Sequence, residues 1–298
     1  MEKLNKKIAE IKETVTNITK PFIYTERQIN LLTLVYLSMI LLDDEIEDLV
    51  METLKKVYIC ISNDSVLSNY QRIKKQANIS LLEKIIGWKA GYFCFRTPEN
   101  QQETFFIIVE DHGNLDDLLE SLIHEIKHAI NEIIPSFFIW KEKAYFYSGL
   151  ALVSDKETIN ESIDEAFNSF ISKVYLNILY TLKNQNIEDP SIRKILEKLK
   201  KPQKYIYDHF LTKRYVQMFR SKYLFRHFYY ACLYKDFEPL NKAIKKVFDK
   251  QYDAYEFFDD LDHFNDEIYQ EHLNAINLSL IRKPQKIIPY IKNSEHKN

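Results

Sequence analysis

Glycine is nearly missing from this chain, with four residues in 298, and proline is sparse at eight. An all-β protein is built on many tight turns of the kind these residues supply, so their scarcity disfavours that class and leaves helix dominant. Cysteine is also rare: Cys60, Cys94 and Cys232 are far apart, lack C-x-x-C spacing and sit among apolar or aromatic neighbours. Such a set suits neither a disulfide framework nor a cysteine zinc site, and reads as buried thiols of a cytosolic protein. Charge of one sign is absent as well. Lys and Arg total 41 against 43 Asp and Glu, a net −2, so no nucleic-acid partner is expected. Long apolar runs are missing: the most apolar stretch, Leu31 to Leu42, includes Thr33 and Ser38 and falls short of the about 20 residues of a membrane span. No apolar h-region follows Met1-Glu2-Lys3-Leu4-Asn5-Lys6-Lys7, so neither a signal peptide nor a membrane partner is expected. The expectation is a cytoplasmic globular protein.

What remains is a balanced composition, 46% hydrophobic and 28% charged, on a chain long enough to bury a large core. Leu4, Ile8, Ile11, Val15 and Ile18 repeat at helical spacing over residues 2–19. Thr25 and Gln28 resemble a capping box that opens a helix running through Leu42, and a second helical stretch follows over 43–57. Val57–Ser62 fits a strand or a helix end, and 66–86 reads as helix with a break near Asn78. From Gly87 the texture changes. Gly91–Arg96 and Glu103–Val109 are rich in aromatic and β-branched residues, and the turn-forming Thr97-Pro98-Glu99-Asn100 between them predicts a β-hairpin. Asn114 is a good N-cap for a helix over 115–134, with Asp116 and Asp117 in its first turn. Residues 136–157 are aromatic and irregular, with a strand expected at 144–153. A long helix then begins at Thr158, a loop spans 186–190, and helices fill 191–292. The fold class predicted is α+β, predominantly helical. It comprises a helical N-terminal region (1–85), a core of hairpin, motif helix and acidic helix (86–182), and a helical C-terminal region (183–298).

The chemistry sits at His124-Glu125-Ile126-Lys127-His128, an H-E-x-x-H pattern. Residues four apart on a helix lie nearly one above the other, so His124 and His128 can close on one metal ion. Glu125 lies about 100° round from His124, beside the metal. Leu115, Leu118, Leu119, Leu122, Ile126, Ala129, Ile130 and Ile133 share one arc of this helix. The two histidines fall on the other arc with Asp117, Ser121, Asn131 and Glu132, so they leave the apolar stripe unbroken. Catalytic Zn2+ takes three protein ligands and a water, whose pKa it lowers, and an adjacent carboxylate takes that water's proton. Glu125 is the candidate base. No Gly and third His follow within a few residues, and the next His is His209, so the third ligand is expected to be a carboxylate from the Thr158 helix. Glu161 and Glu165 both qualify. Glu165 is favoured because Ala166 beside it permits close approach, and Asp164 or Glu161 is then available to hold a ring N–H. His112 reads as a turn residue.

Over about residues 90–180, the motif, the upstream hairpin and the downstream Asp164-Glu165-Ala166 helix resemble the gluzincin zinc metallopeptidases, thermolysin-like in fold. The resemblance implies zinc bound by His124, His128 and Glu165, with Glu125 as base and proton shuttle. It also implies that the hairpin at 91–109 takes up a peptide or protein substrate by strand addition. The acidic helix departs from the family's Glu-x-x-x-Asp spacing, since Asp164 follows Glu161 by three and Ser169 follows Glu165 by four. Tyr215, Arg220, Tyr223 and His227 are the candidates for stabilising an oxyanion. Two other classes stay open: a non-catalytic helical interaction protein with a structural or vestigial metal site, and a zinc hydrolase of non-peptide substrates.

Overall fold

A computed structural model describes residues 2–18, 23–74, 86–96, 103–133, 136–140, 142–154, 158–200, 218–219, 222–248 and 258. Helices dominate: α1 (Glu2–Asn17), α2 (Glu26–Leu42), α3 (Glu47–Lys56), α4 (Val66–Ile73), α5 (Leu115–Glu132), α6 (Glu161–Leu182), α7 (Pro190–Lys198), α8 (Lys222–Tyr234) and α9 (Glu238–Phe248). The strands are β1 (Val57–Ser62), β2 (Ala90–Arg96), β3 (Glu103–Glu110), β4 (Phe137–Trp140), β5 (Lys143–Ser148), β6 (Ala151–Val153) and β7 (Thr158–Ile159). The class is α+β and predominantly helical. The described chain divides into two compact units: residues to Ala129 with those from Ser172 to Lys200, and residues from Ile130 to Ile171 with those beyond 205.

The first unit is built round α2. Thr25 and Gln28 form the full capping box, and every residue from Asn30 to Ile40 is then buried. A helix apolar on all sides must be enclosed on all sides, which explains why its pattern shows no polar face. Its buried Thr33 and Ser38 hydroxyls donate back to the carbonyls of Ile29 and Val35, so neither needs an outside partner. A three-stranded sheet of order β1-β3-β2 adjoins it. The hairpin β2–β3 is antiparallel as its turn residues predict, while β1 joins β3 in parallel. Along β1, Tyr24 Oη accepts from Ile59 N–H (3.2 Å) and Gln28 Nε2 donates to Ile61 C=O (2.8 Å). These side chains satisfy backbone groups of an outer strand that would otherwise invite another chain. Desolvation pushes the Tyr24 phenol up to about 12. Helix α4 covers the sheet through Val66 and Tyr70, packed with Cys60, Phe93 and Ile108. Cys60 and Cys232 are buried and outside any disulfide, as their apolar flanks suggest.

The second unit holds a four-stranded antiparallel meander, β4-β5-β6-β7. The described residues between 136 and 154 are therefore more regular than expected. Strands alternating with exposed aromatics, such as Phe146 at 45% exposure, give no clean apolar periodicity. Helix α6 begins at Glu161 instead of Thr158, because Thr158 and Ile159 pair with Val153 and Leu152, and Asn160 turns the chain at φ +64°. Phe167 and Phe170 of α6 pack with Phe219 and Phe225, so this aromatic cluster is core. No helix among the described residues is long and apolar enough to cross a membrane.

Candidate metal centre

Helix α5 starts where Asn114 accepts from the Asp116 N–H (3.2 Å). Its buried side is wider than the sequence arc. Ile123, Lys127 and Asn131 join Leu118, Leu119, Leu122, Ile126, Ala129 and Ile130 below the surface. His124 and His128 remain half-buried on the other side, their rings edge to face with centroids 4.8 Å apart and their Nε2 atoms 3.1 Å apart. Glu165, from the second turn of α6, brings an exposed carboxylate to them. One donor atom from each of the three residues lies within 4.8 Å of the others, a group that can hold a metal ion. Glu125 is largely buried at 9% exposure, next to His124 on α5.

Glu161, the competing carboxylate, is exposed in the first turn of α6 and stands outside that group. Asp164 is buried at 3% exposure: Oδ1 accepts from Leu150 N–H (2.7 Å) and Oδ2 from Asn168 Nδ2 (3.0 Å). Asn168 Oδ1 in turn accepts from Asn131 Nδ2 of α5 (3.4 Å). Next to this line, Ser148 Oγ donates to Glu132 Oε1 (2.7 Å). The sequence marks these residues only as polar positions on two helices. Beside them lies Gly149, one of four glycines, at φ +62° in the two-residue turn joining β5 to β6.

Among the other candidates, His112 is exposed with Nε2 3.4 Å from Glu110 Oε2, and lies outside the metal group. His227 is half-buried on α8, its pKa held below the usual value by desolvation and then by the Arg226 charge. Tyr215, Arg220 and the Tyr223 side chain fall outside the described residues.

The arrangement offers two imidazole nitrogens, one carboxylate oxygen and a second, largely buried carboxyl group on one helix pair. No protein-family model, curated protein or solved structure matches the chain, so this local geometry carries the functional case alone.

Proposed function

We propose that this protein is a zinc-dependent metallopeptidase of the gluzincin type, with His124, His128 and Glu165 as metal ligands and Glu125 as general base. The observation that carries the proposal is the convergence of these three donor groups from α5 and α6. Tetrahedral zinc at about 2.0–2.1 Å from each nitrogen sets a donor separation of about 3.3 Å. The two Nε2 atoms, 3.1 Å apart, fit that span with little adjustment. Two nitrogens and one oxygen also suit zinc better than the all-oxygen shells of calcium or magnesium. When bound, zinc supplies Lewis acidity and brings the pKa of a water toward neutrality.

The chain's own residues do the rest. Glu125 takes a proton from the attacking water and delivers it to the departing amine, a role favoured by its shielding from solvent. Glu165, being exposed, leaves the centre accessible from one side. An extended peptide finds a backbone template in β2, an outer strand of the order β1-β3-β2.

The test is metal analysis of the purified protein combined with Glu125→Gln. Zinc is expected in both proteins, and peptide hydrolysis, screened on a broad peptide library, is expected to fall by about 10²–10⁴-fold in the variant. Absence of zinc from the wild-type protein removes the enzyme assignment. Zinc retained with unchanged hydrolysis points to a structural metal, and turnover of esters but not peptides points to a different hydrolase.

A further inference from the structure

The buried hydrogen bonds beside the metal ligands gather on one point, the turn between β5 and β6. Ser148 pairs with Ala151, leaving Gly149 and Leu150 as the two-residue loop of a hairpin. A positive φ at the first loop residue is the geometry that glycine supplies in such turns. The reason for glycine here is also steric. A Cβ at position 149 would stand 2.0 Å from Asp164 Oδ1 and 2.8 Å from Asn131 Nδ2, so the bare backbone is pressed against a side chain from α6 and one from α5. Within the hairpin, Leu150 N–H has no ladder acceptor, and Asp164 Oδ1 takes it at 2.7 Å. The second Asp164 oxygen is bonded to Asn168, Asn168 to Asn131, and Ser148 to Glu132. The last turn of α5 and the first turns of α6 are thus fastened to the same four-residue turn.

Glu165 directly follows Asp164 and is rotated from it by about 100°, with a rise of about 1.5 Å. Pinning Asp164 on both oxygens therefore sets both the rotation and the height of α6 where Glu165 leaves it. Asn131 lies three residues beyond His128 on the same helix, so the network references Glu165 to the histidine pair.

We infer that Asp164 is a positioning residue: clamped by the Gly149–Leu150 turn and Asn168, it holds Glu165 in register with His124 and His128. This rests on the metal-binding reading above. A residue that acts through a ligand changes metal affinity only while that ligand is present, whereas a residue needed merely for folding weakens binding whether or not Glu165 is there.

The experiment measures Zn2+ affinity of the full chain by competition with a chromophoric chelator. The proteins are wild type, Asp164→Ala, Asp164→Asn, Glu165→Ala and the Asp164→Ala/Glu165→Ala double variant. Asp164→Ala is expected to weaken zinc about 10–100-fold, the usual effect of losing a partner that orients a ligand. Asp164→Asn, which keeps an acceptor for Leu150 N–H, is expected to recover most of that loss. In the Glu165→Ala background, Asp164→Ala is expected to cost nothing further. The Co2+-loaded Asp164→Ala protein should show a weakened visible absorption band, reporting departure from tetrahedral geometry, and Asp164→Asn should resemble wild type. Equal loss in both backgrounds, or no loss with Glu165 present, overturns the inference and leaves the metal site standing. Wild-type protein that binds no zinc overturns both. Should Asp164→Ala fail to fold, Asn131→Ala removes the far end of the network. It is expected to weaken zinc about threefold or more, and unchanged affinity there overturns the inference equally.

Discussion

At the scale of single residues, the site divides into what a pattern can name and what only packing can choose. His124 and His128 are legible because a four-residue spacing on a helix is a geometric statement. The choice between Glu161 and Glu165 is not, since both lie on one face of α6 and differ by four residues, a rise of about 6 Å. That difference is decisive for a metal bond of about 2 Å, and only Glu165 joins the donor group. Glu165→Ala is accordingly expected to lower zinc content of the purified protein by at least tenfold, with Glu161→Ala near wild type. Equal zinc retention in the two variants, measured by atomic absorption, would sink the assignment. Lys127 marks the opposite limit. It occupies an x position of the motif and is fully buried, although composition would put a lysine in solvent. Asp164 was legible as an acid near the ligands, yet its partners Leu150 and Asn168 come from a turn and a helix position that carry no distinguishing pattern.

At the scale of elements, local chemistry was visible where caps and periods act within a few residues. The Thr25–Gln28 box, the β2–β3 hairpin and the Asn114 cap all belong to this kind. The start of α6 was not visible, because Ile159 continues the spacing of Ile163, Phe167 and Phe170. Only strand pairing and the left-handed Asn160 separate it from the helix. The start of α7 offers a quantitative test. Asp189 Oδ1 accepts the N–H groups of Ser191 and Ile192, and Oδ2 receives Lys12 Nζ at 2.6 Å. Burial works to raise this carboxyl, but the Lys12 and backbone hydrogen bonds overcome it and hold the pKa below the usual value. A pKa lowered by folding contributes stability that is present above the unfolded value of about 3.9 and is lost as pH falls through the folded value. Asp189→Ala should therefore destabilise by about 1 kcal/mol at pH 7, the typical worth of an N-cap. Its deficit should shrink as pH drops below about 4, while Asp189→Asn keeps the cap and loses mainly the pH-dependent part. Denaturant midpoints at several pH values check this, and a pH-independent Asp189→Ala deficit rules out a role for the charge.

At the scale of the whole molecule, the pairings that close the fold are long-range and silent in sequence. Strand β1 meets β3 in parallel across an intervening helix and strand, and Lys12 meets Asp189 far along the chain. The three residues of the candidate metal group belong to the same category. His124 and His128 leave α5, Glu165 leaves α6, and the four strands of the β4–β7 meander lie between them in the chain. An unfolded chain cannot hold three donors that far apart in sequence at metal-bonding distance, so zinc bound as proposed would select the folded state. Free zinc at a hundredfold excess over Kd then adds about 2.7 kcal/mol. For a protein of this size that amounts to a rise in thermal midpoint of about 5 °C or more. Because the imidazoles are half-buried and outside the apolar arc of α5, His128→Ala should leave the zinc-free midpoint within a few degrees of wild type and abolish the rise. Paired melts with zinc and with chelator separate the two effects. A rise that persists undiminished in His128→Ala would locate the bound zinc elsewhere on the chain, because a centre deprived of one of its two nitrogens cannot keep the same affinity.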